Sequence, residues 1–217
     1  MTRSPQPERS EVVRAAQRLG ATGLSSGTSG NLSRRLDDGF LITPSALPYE
    51  RTGEDDVVEM VAGEVVSSSR RPSTEWPFHA AIYAARPEVG GVVHAHPPYA
   101  TALSCARREI PPFHYMVGVA GGRSIRCAGY ARPGSEALAE LAVGALAGRN
   151  ACLLANHGMI SVGATLPAAF DLALEVETLA RQYWLTLQIG EPVLLSGDEM
   201  EEILAHLEVY RSSGARE

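Results

Sequence analysis

The chain contains no lysine, because all 19 of its basic side chains are arginine. Without a lysine amine, no side chain can form a Schiff base with a carbonyl substrate, which excludes that kind of covalent catalysis. Cysteine is scarce as well: Cys105, Cys127 and Cys152 stand far apart, with no CxxC motif and no even-numbered disulfide framework. This cysteine usage indicates a reducing compartment.

An excess of positive charge and a long apolar run are also missing. The formal net charge is -6, so we expect neither a nucleic-acid partner nor binding to an anionic membrane. No run of about 18 apolar residues occurs, and no apolar segment follows the polar, proline-containing N-terminus. We therefore expect a soluble, cytoplasmic protein.

The rest of the composition is that of a globular domain. Of the 217 residues, 45% are hydrophobic, so we expect a single domain over residues 1–217, with residues 1–7 flexible. Hairpin signals occur at Asp37-Asp38-Gly39 and at Ala62-Gly63, and they are combined with segments of helical periodicity. This mixture predicts an α/β sheet that is covered on both faces.

Two histidines end an apolar segment, Val92-Val93-His94-Ala95-His96. Side chains alternate along a strand, so His94 and His96 project from the same face. A third histidine, His157, follows another apolar run. Three imidazoles at strand ends leave one coordination position open, which is the pattern of a catalytic zinc site. The alternative is that these are ordinary half-buried histidines, but the pair at i and i+2 favours a metal.

Two segments have the composition of an anion site. Residues 24–33 are rich in glycine and hydroxyl side chains, which let N–H groups converge on a phosphate, although a helix end followed by a turn looks similar. Ser73 or Thr74 is expected to cap a helix that runs to about residue 85, and a helix N-terminus suits phosphate. Glu75 could be a dipole-favoured carboxylate with no other role. His79 has no partner at metal-ligand spacing, and we interpret it as structural.

Together these motifs resemble the class II aldolase/adducin family, and within it the L-fuculose-1-phosphate aldolase branch. The resemblance covers nearly the whole chain, with seven motifs in the family's order. They are GTSGNLS (27–33), LITPSALPYE (41–50), PSTEWPFH (72–79), VVHAHP (92–97), IPPFHYM (110–116), AGGRSIRCAGYA (120–131) and LLANHG (153–158).

The resemblance implies a three-layer α/β/α sandwich with a mostly antiparallel central sheet, assembled as a C4 homotetramer with active sites between subunits. It implies an aldolase that reversibly cleaves a ketose 1-phosphate, such as L-fuculose 1-phosphate, into dihydroxyacetone phosphate and a small aldehyde such as lactaldehyde. One Zn²⁺ per subunit is expected, with Mn²⁺ or Co²⁺ as substitutes. This ion would act as a Lewis acid in place of a Schiff base.

The roles of individual residues are also implied by the resemblance. His94, His96 and His157 match the zinc ligands. Glu75 matches the carboxylate that ligates the resting metal and then serves as general acid/base. The phosphate-binding positions of the family correspond to Thr28, Gly30, Asn31, Ser45, Ser73 and Thr74.

Two tyrosines and two departures complete the comparison. Tyr115 matches the tyrosine that reaches over from a neighbouring subunit and protonates the aldehyde oxygen, and Tyr210 matches a C-terminal tyrosine that closes the site. Ala46 stands where the family pattern predicts glycine in the phosphate loop. Pro133 stands where the fuculose enzymes carry phenylalanine, near the aldehyde end. The identity of the aldehyde therefore does not follow from the resemblance.

Other functions stay open. Within the family they are a pentulose-phosphate 4-epimerase, for which aspartate is expected at position 75, a methylthioribulose-1-phosphate dehydratase and an aldolase for 5-deoxypentulose phosphates. A non-catalytic, adducin-like binding domain would lack the histidine set, which this chain has. A cupin-type metal barrel would continue as strands after the second histidine, where this sequence predicts a helix over residues 99–107.

Overall fold

The computed structural model of the chain describes residues 6–214. Its centre is one sheet of eight strands, in which all neighbouring strands are antiparallel except the last pair. The strands are β1 (Asn31–Leu36), β2 (Gly39–Ile42), β3 (Val58–Val61), β4 (Glu64–Ser67), β5 (Gly91–Ala95), β6 (Arg126–Ala128), β7 (Ala151–Leu154) and β8 (Gly158–Gly163).

The order of the strands across the sheet is β4-β3-β2-β1-β5-β8-β7-β6. The two predicted hairpins, β1–β2 and β3–β4, form its first half and are confirmed. β5 lies at the centre between β1 and β8, and all its residues are buried. A histidine at the end of β5 is therefore held from both sides by neighbouring strands.

Six α-helices and three short 3-10 helices accompany the sheet within residues 6–214. The 3-10 helices are Tyr49–Arg51, Glu54–Asp56 and Tyr115–Ala120. The α-helices are α1 (Gln6–Ala21), α2 (Trp76–Ala85), α3 (Pro98–Cys105), α4 (Glu136–Ala145), α5 (Leu166–Ile189) and α6 (Gly197–Gly214).

Two separate apolar cores lie on the two faces of the sheet. Helices α1, α3 and α5 cover one face with residues such as Leu19, Leu103 and Phe170. Helices α2 and α4 cover the other face with residues such as Phe78 and Leu138. Each such fully buried side chain contributes roughly 1.5–3 kcal/mol by leaving water. The predicted α/β/α sandwich with a mostly antiparallel sheet is confirmed.

Several predicted boundaries differ from the structure. Helix α1 begins at Gln6, so residues 6 and 7 of the segment predicted to be flexible are helical, while residues 1–5 lie outside the described part of the chain. The prediction that Ser73 or Thr74 caps α2 was wrong. Glu75 occupies the cap position, because the Trp76 N–H donates to the Ser73 carbonyl at 3.1 Å and closes a turn before the helix.

The C-terminal helix α6 begins after Ser196, whose hydroxyl accepts the Glu199 N–H at 3.2 Å, and it runs to Gly214. Tyr210 thus lies on a helix. Within residues 6–214, none of the helices is both long and apolar enough to cross a membrane.

Candidate active site

Three separate segments bring four potential metal ligands together. His94 is on β5, and His96 follows directly after the end of that strand. His157 lies in the tight turn between β7 and β8. Glycine is required at position 158, where the turn ends and β8 begins, because a Cβ there would lie 2.5 Å from both the Ala95 carbonyl oxygen and the His96 ring. The close packing of this turn on the end of β5 places His157 beside His96.

Glu75 completes the cluster from the start of α2. One ligand atom from each of Glu75, His94, His96 and His157 lies within 4.8 Å of the others. Glu75 Oε2 lies 3.1 Å from His94 Nε2, and Glu75 Oε1 lies 3.2 Å from His157 Nε2. His96 Nε2 lies 2.8 Å from His94 Nε2.

The hydrogen bonding of His94 shows that the cluster fits a cation. His94 Nδ1 donates to the Met159 carbonyl at 2.9 Å, which directs Nε2 into the cluster. There Nε2 faces the Glu75 carboxylate and the His96 ring nitrogen. Potential acceptors that converge in this way suit a bound cation. Three imidazoles and a carboxylate are a donor set that a divalent ion such as zinc prefers.

Two buried atoms of the cluster make no hydrogen bond among the described residues, His157 Nδ1 and Glu75 Oε1, although Oε1 lies 3.2 Å from His157 Nε2. Leaving a buried carboxylate oxygen unpaired is costly in an interior without a ligand. The unpaired Glu75 oxygen therefore supports a site built for a bound group.

Burial and charge set the protonation of these side chains. Burial by itself would raise the pKa of Glu75, but the adjacent His94 and His157 outweigh it and hold that pKa well below its usual range. Burial lowers the pKa of His96 to about 3, helped by the neighbouring His94 and His157. At neutral pH the cluster thus combines an ionised carboxylate with a neutral His96, the forms that bind metals.

A cavity of about 380 Å³ opens beside the cluster. Its lining contains every residue that the sequence predicted for phosphate binding, together with three of the four predicted metal ligands. Ser29, which the sequence analysis did not single out, also lines it. The lining consists of Thr28, Ser29, Gly30, Asn31, Pro44, Ser45, Ala46, Ser73, Thr74, Glu75, His96, Pro133 and His157.

Backbone pairing explains why hydroxyls from distant parts of the sequence meet in this cavity. The Ser45 N–H donates to the Arg71 carbonyl at 3.0 Å, and the Ser73 N–H donates to the Thr43 carbonyl at 3.1 Å. This short antiparallel contact holds the loop after β2 against the loop before α2. Ser45 and Ser73 therefore line the same cavity.

The remaining predicted residues lie in different surroundings. Tyr115 is 52% exposed and is not among the residues that line the cavity of its own chain. Tyr210 lies on α6, and its side chain is outside the described part of the structure. Ala46 adopts φ +57°, the left-handed backbone that favours the glycine expected there. Pro133 lines the cavity.

The chain matches the family model described as class II aldolase and adducin N-terminal domain over residues 10–184. The chain belongs to the class II aldolase and adducin family. The predicted family resemblance is confirmed. Class II aldolases use a divalent metal, and the cluster of Glu75, His94, His96 and His157 is able to hold one.

Three relatives describe the position of the chain within this family. It is 50% identical over 199 residues to the 5-methylthioribulose-1-phosphate/5-deoxyribulose-1-phosphate aldolase of Rhodospirillum rubrum, covering 92% of this chain and 90% of that one. It is 42% identical over 206 residues to the L-fuculose phosphate aldolase of Escherichia coli strain K12, covering 95% of both. A solved structure of L-fuculose 1-phosphate aldolase matches it with a TM-score of 0.91 at 38% identity, covering 94% of this chain and 98% of that chain.

Proposed function

We propose that this protein is a metal-dependent aldolase that reversibly cleaves a ketose 1-phosphate into dihydroxyacetone phosphate and a small aldehyde. The observation that carries the proposal is that one cavity combines the Glu75–histidine cluster with hydroxyls and a glycine loop suited to phosphate. A sugar phosphate bound there would have its phosphate at one end and its reacting carbons at the other. We propose one catalytic domain over residues 1–217, working in the cytoplasm.

Zn²⁺ is the ion we propose for His94, His96, His157 and Glu75, one per subunit. When bound, such an ion supplies Lewis acidity that stabilises the negative charge of an enediolate. The chain has no lysine that could stabilise this charge through a Schiff base.

Phosphate is recognised in this proposal by neutral donors. Thr28, Ser45, Ser73 and Thr74 supply hydroxyl groups, and the N–H groups of the glycine loop and of the start of α2 add backbone donors. None of the arginines among residues 6–214 lines the cavity. The site is therefore proposed to recognise the phosphate through directional hydrogen bonds and not through a positively charged side chain.

Glu75 moves the proton at C3. In the condensation direction, it removes a proton from C3 of dihydroxyacetone phosphate, and the enediolate that results attacks the aldehyde carbon to form the C3–C4 bond. The aldehyde oxygen then receives a proton, which we assign to Tyr115 of a neighbouring subunit. The adjacent His94 and His157 hold the pKa of Glu75 below its usual range, so the carboxylate carries no proton of its own before it takes the C3 proton.

Tyr115 is exposed in its own chain and absent from its own cavity, which supports a homotetramer with active sites shared between subunits. Tyr210, on the C-terminal helix, is proposed to close the site.

For the substrate, L-fuculose 1-phosphate is the first candidate. A second candidate is the class of 5-deoxypentulose and 5-methylthioribulose 1-phosphates, which the 50% identity to the Rhodospirillum rubrum aldolase favours. Pro133 is consistent with both, because an apolar wall distinguishes one methylene by only about 1–3 kcal/mol.

The test is a comparison of kcat/KM for L-fuculose 1-phosphate, 5-deoxyribulose 1-phosphate and 5-methylthioribulose 1-phosphate, with dihydroxyacetone phosphate as the measured product. The aldolase proposal predicts its release from at least one of them, and the preferred substrate is the one with the highest kcat/KM. A dehydratase or an epimerase would consume substrate without releasing dihydroxyacetone phosphate, and that result would contradict the proposal.

A further inference from the structure

A row of buried polar side chains leads from the core of the sheet to Glu75. Asn31 Nδ2 lies 2.9 Å from Glu75 Oε2, and Asn31 Oδ1 lies 2.6 Å from His79 Nε2. On the other side of the ring, His79 Nδ1 lies 2.7 Å from Ser33 Oγ, which lies 2.8 Å from Tyr83 Oη. All five residues are buried, and His79 is fully so.

The chemistry of each group fixes the direction of these hydrogen bonds. Glu75 is ionised and accepts only, so the amide of Asn31 turns its NH₂ toward the carboxylate and its oxygen toward His79. That oxygen also accepts only, so His79 Nε2 carries the hydrogen. Burial lowers the pKa of His79 to about 3, so the ring is neutral and Nδ1 accepts from the Ser33 hydroxyl.

Ser33 has given its one hydrogen to His79, and its oxygen therefore accepts from Tyr83. Burial raises the pKa of Tyr83 well above its usual value, which keeps its hydroxyl a donor. The row is thus directed from end to end: Tyr83 donates to Ser33, Ser33 to His79, His79 to Asn31 and Asn31 to Glu75. Each group along it has the hydrogen-bond partner that it needs.

We infer that His79 is a positioning residue for the proposed aldolase: through Asn31 it holds Glu75 Oε2 in place and so fixes the orientation of the carboxylate. The Phe78 ring stacks on His79 with centroids 4.6 Å apart and meets the edge of His94 at 5.2 Å, which fixes both imidazoles from one side. His79 does not line the cavity, so its effect on the reaction passes through Asn31. This inference rests on the proposed role of Glu75.

Without the His79 hydrogen, nothing in this row holds the Asn31 amide in the orientation that donates to Glu75. Glu75 then loses a neutral donor and can rotate away from the C3 proton. The three metal-binding histidines are not touched by such a change, and three protein ligands are enough to hold a catalytic zinc ion. The expected result is a loss of proton transfer with metal binding retained.

The experiment compares His79→Leu with His79→Gln by the exchange of the C3 hydrogen of dihydroxyacetone phosphate in deuterated water, together with kcat, KM and metal content. Leucine fills the space without hydrogen bonds, and we expect exchange and kcat to fall by about 10–100-fold with KM and metal content unchanged. Glutamine can donate to Asn31 and accept from Ser33, and it should restore most of the exchange rate. A residue that only fills space would show the opposite order, with leucine the better substitute.

A second measurement is made on the wild-type enzyme and uses a variant only to assign the signal. Nitrogen-15 NMR at neutral pH should show His79 as the Nε2–H tautomer, its signal identified by its loss in folded His79→Gln. The inference is overturned by an Nδ1–H tautomer, or by a folded His79→Leu enzyme that exchanges at the wild-type rate. A wild-type enzyme that neither exchanges this hydrogen nor cleaves a ketose phosphate would contradict the proposed function, and the inference that rests on it, even with the Nε2–H tautomer present.

Discussion

The hydroxyl of Tyr49 holds both backbone groups of Gly30, accepting from its N–H at 2.7 Å and donating to its carbonyl at 2.9 Å. Tyr49 is buried, and Gly30 is the last residue of the glycine loop before β1. A Cβ at position 30 would lie only 2.8 Å from the His94 carbonyl oxygen. The loop proposed to bind phosphate is therefore held directly beside β5, the strand that carries His94.

Tyr49→Phe removes this hydroxyl and leaves the N–H and carbonyl of Gly30 without their partner. Buried groups left unpaired cost about 1–3 kcal/mol, and a loosened loop should raise KM for the phosphorylated substrate more than it lowers kcat. Chemical denaturation and steady-state kinetics measure the two effects. Tyr183→Phe, a change to another buried ring outside the cavity lining, is the control. An unchanged KM in a destabilised Tyr49→Phe enzyme would argue against the phosphate role of the loop.

The metal site predicts the behaviour of His96→Ala. Losing one of three imidazoles should reduce the bound divalent metal from about one per chain to a small fraction, because a catalytic zinc site rests on three protein ligands. Elemental analysis of the purified proteins measures this directly. His114→Ala removes a histidine outside the cluster and should leave the metal content unchanged. Equal metal in both variants would disprove the proposed ligand set.

Glu75→Gln keeps the size of the side chain but cannot accept the C3 proton. Turnover and C3 hydrogen exchange should fall by roughly 10²–10⁴. A carboxylate that only capped α2 would instead cost about 1 kcal/mol of stability and leave the rate intact. Normal exchange in the variant would refute the role as a base.

Glu177 offers the matched control for this change. It is another partly buried carboxylate, and it accepts the N–H groups of Tyr99 and Ala100 at 3.0 and 2.9 Å at the start of α3. Its place is structural, so Glu177→Gln should lower the free energy of unfolding without the large loss of exchange. Comparing the two variants thus distinguishes a helix-capping carboxylate from a catalytic one in the same fold.

The proposed sharing of sites between subunits can be tested by complementation. Tyr115→Phe chains and His96→Ala chains should each be inactive alone, and mixed oligomers should regain activity because some sites receive both intact residues. Native mass spectrometry measures whether the subunits have exchanged. Verified exchange without regained activity would show that Tyr115 serves the site of its own chain, or no site.

Ala46→Gly tests whether the left-handed backbone conformation of Ala46, in the cavity lining, matters for phosphate binding. A non-glycine residue in this conformation costs roughly 1–2 kcal/mol, partly offset by the flexibility that glycine adds to the unfolded chain. We expect a modestly higher melting temperature and a changed KM for the phosphorylated substrate. Ala62 has φ +49° in the β3–β4 turn, and Ala62→Gly should raise the melting temperature without changing KM. An identical KM effect in both would rule out a role of Ala46 at the phosphate.

The sequence predicted the parts of the site whose geometry is local. His94 and His96 share a face because strand periodicity requires it, and the hairpins followed from their turn residues. The turn before α2 was not predicted because the backbone partner of Ser73 is Thr43, a contact between segments that only the folded sheet brings together.

The hydrogen-bond partners of His79 could not be predicted from the sequence for the same reason. Its partners Ser33 and Asn31 lie on β1, more than 40 positions away in the chain, and no spacing rule connects them. One signal was present: the alternate residues Asn31 and Ser33 are polar in a strand that pairs at the centre of the sheet. Buried polar residues on a central strand need partners, and a histidine on the helix covering that face can supply them.

The distances along the chain between the metal ligands also have a consequence for the order of folding. His94 is oriented by the carbonyl of Met159, 65 residues later, so its free nitrogen is directed into the cluster only after β5 has paired with β8. Closing so long a loop is a slow, entropically costly event. We therefore expect cation binding to follow the completion of the sheet instead of nucleating it. By mass action, a cation at 100 times its dissociation constant would add about 2.7 kcal/mol to the stability of the finished fold.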